Sequence, residues 1–337
     1  MQTWIKQIES TGSAAPWIFL GLFVVASVLM IWRLEAMGAS GFEGTVLGTL
    51  IMPYCSGVGN LIFAFLVAHN RGPGAEVMTN ALVNNVTNLT LLIGLPALLW
   101  QVKAAKPDGG GKAKSKKDGG TKAKAEVDRF SMLLTLLAVL FFTGAVWALG
   151  RDGKISFYDG VVLVGLFGFW QCFHVFDVLK GKASSGKTFT WMAGLNLGLL
   201  GVGAYASYVS INWLMGWLDT RPASSFFSNH HLGWLSGWLM VLPNAILALY
   251  YGWRRKLEVV YTSQVGDGHI CIPLCVGIYA LFQPLELPAM FTQGVYLLGG
   301  ATAVHLLFIG TMGKLPRIAG FALVAAYGYF LKVGLLK

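Results

Sequence analysis

Apolar runs of about 20 residues follow one another along nearly the whole chain, the length a helix needs to cross a bilayer core. Windows of that length place ten candidate spans. The first five are at about 15–34, 45–69, 75–99, 130–149 and 157–180. The second five are at about 188–217, 231–253, 258–282, 289–311 and 317–336. Only 12% of the 337 residues are charged, against about a quarter in soluble chains, and 55% are hydrophobic. An integral membrane protein follows, all-α, with about ten transmembrane helices. The run from about Ala15 is too long for a signal-peptide core and counts as a span.

Ten spans put both termini on one side. Most of the 25 Lys and Arg fall in the loops of the opposite side, above all between the third and fourth spans. The positive-inside bias makes those loops cytoplasmic and puts both termini outside, and the expected location is a prokaryotic inner (plasma) membrane. The net charge of +10 thus orients the chain and implies no nucleic acid. Residues 101–128, rich in Gly, Lys and Ala, have no apolar periodicity and are expected to be a disordered cytoplasmic loop. Five spans per half is an odd number, so the halves enter the membrane from opposite sides, as an inverted repeat. The first repeat then covers 1–149 with helices 1–4, the fifth helix and its link 150–186, and the second repeat 187–337 with helices 6–10.

Two spans are unusually polar. Ala75–Leu98 carries Asn80, Asn84, Asn85, Thr87, Asn88 and Thr90. Asn84 and Asn88 lie one turn apart on a single helical face. The eighth span carries Ser263 and Asp267 with the same spacing. Unpaired amides facing lipid cost several kcal/mol, so both faces must look into protein or a wet cavity. Both polar helices are the third of their half. The second helix of each half holds a proline, Pro53 and Pro243, which removes a backbone hydrogen bond and frees carbonyls that a kink, an ion or water can use.

These residues resemble the calcium/cation antiporter superfamily, to which the sodium/calcium exchangers belong. In each of its inverted halves a proline-broken helix, G-T-S-x-P-E, is followed by a helix with G-S-N-x-x-N or G-S-N-x-x-D. Val83-Asn84-Asn85-Val86-Thr87-Asn88, with Leu91-Leu92-Ile93-Gly94 after it, looks like that third-helix motif, and Thr262-Ser263-Gln264-Val265-Gly266-Asp267 like its counterpart. Arg151-Asp152-Gly153-Lys154-Ile155-Ser156, followed by Asp159-Gly160, is similar to the family's link into the fifth helix. The resemblance implies a secondary active cation antiporter working by alternating access, with Asn84, Asn88, Ser263 and Asp267 as ion ligands.

Tyr54 and Asn244 stand where the family has its calcium-gripping glutamates, and Thr49 and Ser236 are among the nearest hydroxyls before the prolines. Asp267 is then the one carboxylate of the site. Ca2+ wants six to eight oxygens, usually with several carboxylates, so one carboxylate among amides and hydroxyls suits a monovalent ion or a proton. The expected ligands are Na+, H+ or Ca2+, with no cofactor. The missing glutamates also fit a non-transporting relative acting as sensor, scaffold or partner subunit.

Further polar groups carry weaker readings. His269 and Glu76 are candidates for lining the cavity, although Glu76 at a helix start also favours the helix dipole. His174 and Asp177 are spaced to pair with each other, and His305 fits a buried, hydrogen-bonded ring. Cys55, Cys172, Cys271 and Cys275 fit small buried thiols better than disulfides; a soft-metal site at Cys271, Cys275 and His269 is the alternative reading, and for a membrane enzyme using that cluster no nucleophile–base spacing speaks. Gly194 and Gly198 form a small-xxx-small face expected to pack on another helix.

Overall fold

The computed structural model describes residues 3–39, 57–100, 118–181, 191–254 and 257–335, with the side chains of a few helical residues left out, Ser263 among them. In hydrocarbon every backbone N–H and C=O must be satisfied within its own segment, and the apolar runs accordingly fold as helices. A short helix α1 (Thr3–Glu9) leads into α2 (Ala15–Ala39). Then come α3 (Val58–His69), α4 (Gly74–Trp100), α5 (Asp118–Leu149) and α6 (Phe157–Gly181). The second half holds α7 (Trp191–Asp219) and α8 (Leu232–Trp253). The next helix, α9, is three segments end to end, Leu257–Ile270, Cys271–Cys275 and Val276–Phe282, before α10 (Phe291–Met312) and α11 (Arg317–Leu335).

Among the described residues, eight helices are long and apolar enough to cross a membrane, and α3 and part of α6 are shorter apolar helices. Large apolar side chains such as Trp17, Trp32, Phe169, Trp191 and Ile318 stand exposed around the bundle, as lipid contact requires. Arg33, Arg151, Arg221 and Arg254 each lie over a neighbouring tryptophan or tyrosine ring, the arrangement of interfacial anchors.

The two polar helices form the centre. Both α4 and the Gln264–Phe282 stretch of α9 are 78% buried, against 28–39% for α2, α5, α7, α10 and α11. Around them α8 packs on α4, α3 on α9, α10 on α5, and α2 on α7. Two pairs of glycines permit close backbone crossings. A Cβ on Gly320 of α11 would sit 2.8 Å from the Gly94 carbonyl oxygen in α4. A Cβ on Gly160 of α6 would sit 2.9 Å from the Gly277 carbonyl oxygen in α9.

Three expectations change. The fourth span begins at Asp118, inside the stretch expected to be disordered, because the Lys-, Ala- and Glu-rich residues before the apolar run extend a nucleated helix at little cost. The Gly194–Gly198 face packs on nothing: a Cβ on Gly198 would meet no atom within 4 Å. The close approach on α7 is instead Gly203, whose Cβ would lie 2.5 Å from Met30 of α2. The all-α expectation gains one small exception, an antiparallel pair of β1 (Lys154–Ile155) with β2 (Leu285–Glu286). Beside it Ser156 and Asp159 form a capping box at the start of α6, with the Ser156 N–H and hydroxyl both donating to Asp159 Oδ2, at 2.8 and 2.6 Å.

Valine at Gly320 or Gly160 would press on a facing carbonyl that cannot move aside. Each substitution is expected to cost about 1–3 kcal/mol. The cost should show as a lower thermal unfolding midpoint in detergent, with Gly144→Val, open to lipid, as the unaffected control.

Candidate functional site

Helix α4 presents one polar stripe at four-residue spacing, Glu76, Asn80, Asn84 and Asn88, and each rung has a different partner. Glu76 accepts the backbone N–H of Gly233, an otherwise orphaned donor at the start of α8. Asn80 Nδ2 donates to Ser236 Oγ at 3.0 Å, and that hydroxyl donates in turn to the Gly233 carbonyl at 3.2 Å. Asn84 Nδ2 donates to Asn60 Oδ1 of α3 at 3.0 Å. Asn88 Nδ2 donates to Asn84 Oδ1 at 2.7 Å and to Asp267 Oδ2 of α9 at 3.4 Å.

Asn244, one residue past Pro243 in α8, completes the cluster by donating to the same Asp267 oxygen. Three helices, α4, α8 and α9, therefore meet at Asp267, and Asn60 joins α3 to the cluster through Asn84. All five side chains are buried: Asn84 and Asn88 have no exposed surface and Asp267 only 1%. The donors are used up in holding the cluster together, and oxygen atoms are left over. Asp267 Oδ1 and Asn88 Oδ1 are buried with no hydrogen-bond partner, and so are Asn85 Oδ1 and Thr87 Oγ1 on the next faces of α4. Unpaired buried acceptors of this kind call for a partner, whether a water, a cation or a proton.

Both central helices widen into π-helical turns near the polar pairs, at Thr87–Leu92 in α4, which includes Asn88, and at Cys271–Cys275 in α9, one turn past Asp267. Such turns loosen the backbone ladder and cluster at functional sites. In α9 Pro273 supplies a cause, since it has no N–H to donate. In α4 the Leu89 carbonyl accepts His305 Nε2 at 2.7 Å, so that nitrogen carries the proton, and Tyr261 meets Nδ1 at 2.7 Å. His305 is thus a buried, hydrogen-bonded ring tying α10 to both central helices.

The structure brings together Asn84, Asn88, Asp267 and Asn244 of the residues the sequence nominates. Ser263 lies on α9 one turn before Asp267, and its side chain is outside the described residues, as are those of His174 and Asp177. Pro53, Tyr54, Thr49 and Cys55 fall in 40–56, also outside the described residues. Pro243 lies inside α8 beside the cluster. Glu76 sits three turns of α4 above Asn88, at the α8 start. His269 turns away from Asp267: its Nε2 donates to the Thr135 carbonyl of α5 at 3.0 Å, and its ring packs on Phe142 and Trp170. Cys271 and Cys275 are free, buried thiols, whereas Cys172 is exposed. Among the described residues no group of three or more His, Cys, Asp or Glu could hold a metal ion, so a cation here would depend on amide oxygens beside Asp267. Asn60 is the member that sequence reasoning missed, a single asparagine in an apolar helix with no spaced partner.

A bundle of apolar helices closed around one carboxylate and several carboxamides defines an integral membrane protein with an intramembrane polar site. Residues 15–176, a little under half of the chain, match the family described as sodium/calcium exchanger protein. Solved structures of the sodium–calcium exchanger NCX_Mj share the fold over nearly the full length of both chains. With NCX_Mj soaked in 2.5 mM Na+ and 10 mM Sr2+ the TM-score is 0.62 at 18% identity, covering 96% of each chain. With the crystal soaked in 2.5 mM Na+ and 0.1 mM Ca2+ it is 0.60 at 21% identity, covering 95% of this chain and 96% of that one. No curated protein matches the chain. The chain thus has the fold of the sodium–calcium exchanger NCX_Mj, and its first half is similar to the sodium/calcium exchanger family.

Asn60→Leu removes the acceptor of Asn84 Nδ2 and strands a buried N–H, at an expected cost of about 1–3 kcal/mol. The measurement is the thermal midpoint of the purified variant, and it should fall more than for Leu61→Ala next to it, whose side chain is only partly buried.

Proposed function

We propose that this protein is a secondary active cation transporter working by alternating access, with Asp267 as the one carboxylate ligand of a site otherwise built from carboxamides. The observation that carries the reading is the pair of unpartnered oxygens, Asp267 Oδ1 and Asn88 Oδ1, buried where α4, α8 and α9 meet. Asn84, Asn244 and Asn60 hold them in place and can turn further amide oxygens toward an ion. Tyr54, Thr49 and Ser263 are the further ligands that the family's pattern assigns to the same site.

Charge decides the ion class. A monovalent cation or a proton neutralises a lone aspartate, whereas Ca2+ would leave an uncompensated positive charge in a buried site. NCX_Mj is described as exchanging sodium and calcium, and its crystals were soaked with both. Here Na+ or H+ is the proposed cargo, with Tyr54 and Asn244 in the places of the family's glutamates.

The packing supports two inverted five-helix repeats, 1–149 with the fifth helix after it and 187–337. Exchanging the halves maps α4 on α8 onto α9 on α3. The same exchange maps the Gly94–Gly320 crossing onto Gly277–Gly160, and one π-helical turn onto the other. Halves related in this way would give two equivalent openings toward one central site. The proposed orientation has both termini outside and the basic loops in the cytoplasm, by the bias of Lys and Arg.

The experiment is a thermal-shift titration of the purified protein with Na+, K+, Ca2+ and protons, followed by tracer flux in vesicles. An ion present at 100 times its dissociation constant stabilises the folded state by about 2.7 kcal/mol. Na+ or pH should give the shift in the wild type and fail to do so in Asp267→Asn, which keeps the volume and both hydrogen-bond directions available. Ion stabilisation that survives Asp267→Asn unchanged sinks the assignment. Asn244→Glu sets a second carboxylate against Asp267 and should create a Ca2+-dependent shift that the wild type lacks; a strong wild-type Ca2+ shift would overturn the monovalent reading.

A further inference from the structure

A cavity of about 560 Å3 lies between the α2–α7 pair and α8, away from the Asp267 cluster. That is within the roughly 300–1,000 Å3 of small-ligand pockets. Its walls are apolar, with Trp17 and Leu20 from α2, Leu214 and Leu218 from α7, and Leu235 and Leu239 from α8. Trp17 is 69% exposed and Leu242, also on the wall, 40% exposed, so the cavity opens sideways toward lipid.

Three helix ends share its rim: α2 begins at Ala15, α7 ends at Asp219 and α8 begins at Leu232. Arg221 lines the cavity just past the end of α7, its guanidinium 4.9 Å from the Trp217 ring centroid. No Asp or Glu lines it. From Leu232 to Leu242 the wall follows α8 for about 15 Å of helical rise. That equals one leaflet of a hydrocarbon core about 30 Å thick. Water is a poor occupant, because Ser236, the polar wall residue below the rim, already bonds to Asn80 and Gly233 and leaves it little to hold.

We propose that this cavity holds one acyl chain of an anionic phospholipid whose phosphate pairs with Arg221. The inference is independent of the transport reading. Lipid tails are as apolar as the cavity wall, so the tail gains little by leaving the bilayer and selection must come from the headgroup. A guanidinium fixed on an indole face at the headgroup level offers a phosphate two parallel N–H donors.

The test is native mass spectrometry of the purified full-length protein with equal amounts of phosphatidylglycerol and phosphatidylcholine of matched tails. The wild type should retain one tightly held lipid and prefer phosphatidylglycerol roughly fivefold, the contribution of one basic residue near an anionic lipid. Arg221→Gln should abolish the preference and still bind either lipid, and Leu235→Trp, which fills the cavity, should retain neither. An unchanged preference in Arg221→Gln, or a lipid still held in a folded Leu235→Trp, overturns the proposal. If Leu235→Trp does not fold, Arg221→Gln decides alone.

Discussion

A carboxylate enclosed by helices in a membrane has to be held and compensated, and Asp267 is held by Asn88 of α4 and Asn244 of α8 at one of its two oxygens. Moving a bare carboxylate out of water costs several kcal/mol even after the surroundings relax. Two carboxamide donors offset part of that cost and at the same time fix where α4, α8 and α9 cross. Asn84 passes the constraint on to α3 through Asn60. The central packing is therefore organised by one acidic side chain. On the proposed reading, the oxygen that remains unpaired makes the fold's stability depend on what occupies the site.

Two backbone devices keep this arrangement possible. Glycines facing carbonyls let α11 reach α4 and α6 reach α9 closely enough to shield the polar faces from lipid. A π-helical turn that takes in Asn88 in α4, and one that starts a turn past Asp267 in α9, reset the helical phase at the polar level. Past these turns the buried faces are apolar, with Ile93 in α4 and Val276 in α9. The same device in both halves points to a structural requirement of the site and not to an accident of either sequence.

The sequence showed the polar pairs because four-residue spacing within an apolar run has one physical reading, a shared helix face that cannot meet lipid. Hydropathy alone placed the eight spans found among the described residues, since a bilayer imposes a length. The partners of the pairs were less visible. Asn60 stands alone in its helix, and its contact with Asn84 is set by how α3 crosses α4. Glu76 showed its place at a helix start but not that it caps α8 rather than its own helix. The π-helical turn in α4 has no compositional mark at all. Gly194 and Gly198 have the spacing of a packing face, yet spacing cannot tell lipid from protein, and the contact fell to Gly203.

On the proposed reading, a charge-poor site also bears on how an exchanger would keep its two movements coupled. Coupling fails when the empty carrier reorients, and a bare buried charge is what normally forbids that step. A site with three carboxylates stays highly charged until a divalent ion or several monovalent ions enter. A site with one is neutral as soon as it holds a single Na+ or a single proton, and either species then permits reorientation. The carboxamides sharpen this: Asn84, Asn88 and Asn60 are tied to one another by hydrogen bonds that need no ion, so the cluster is linked around Asp267 while only one charge remains to be neutralised. On the proposed reading, Na+ and H+ compete for the same oxygen atom, and exchange of one for the other follows from the electrostatics of Asp267 alone.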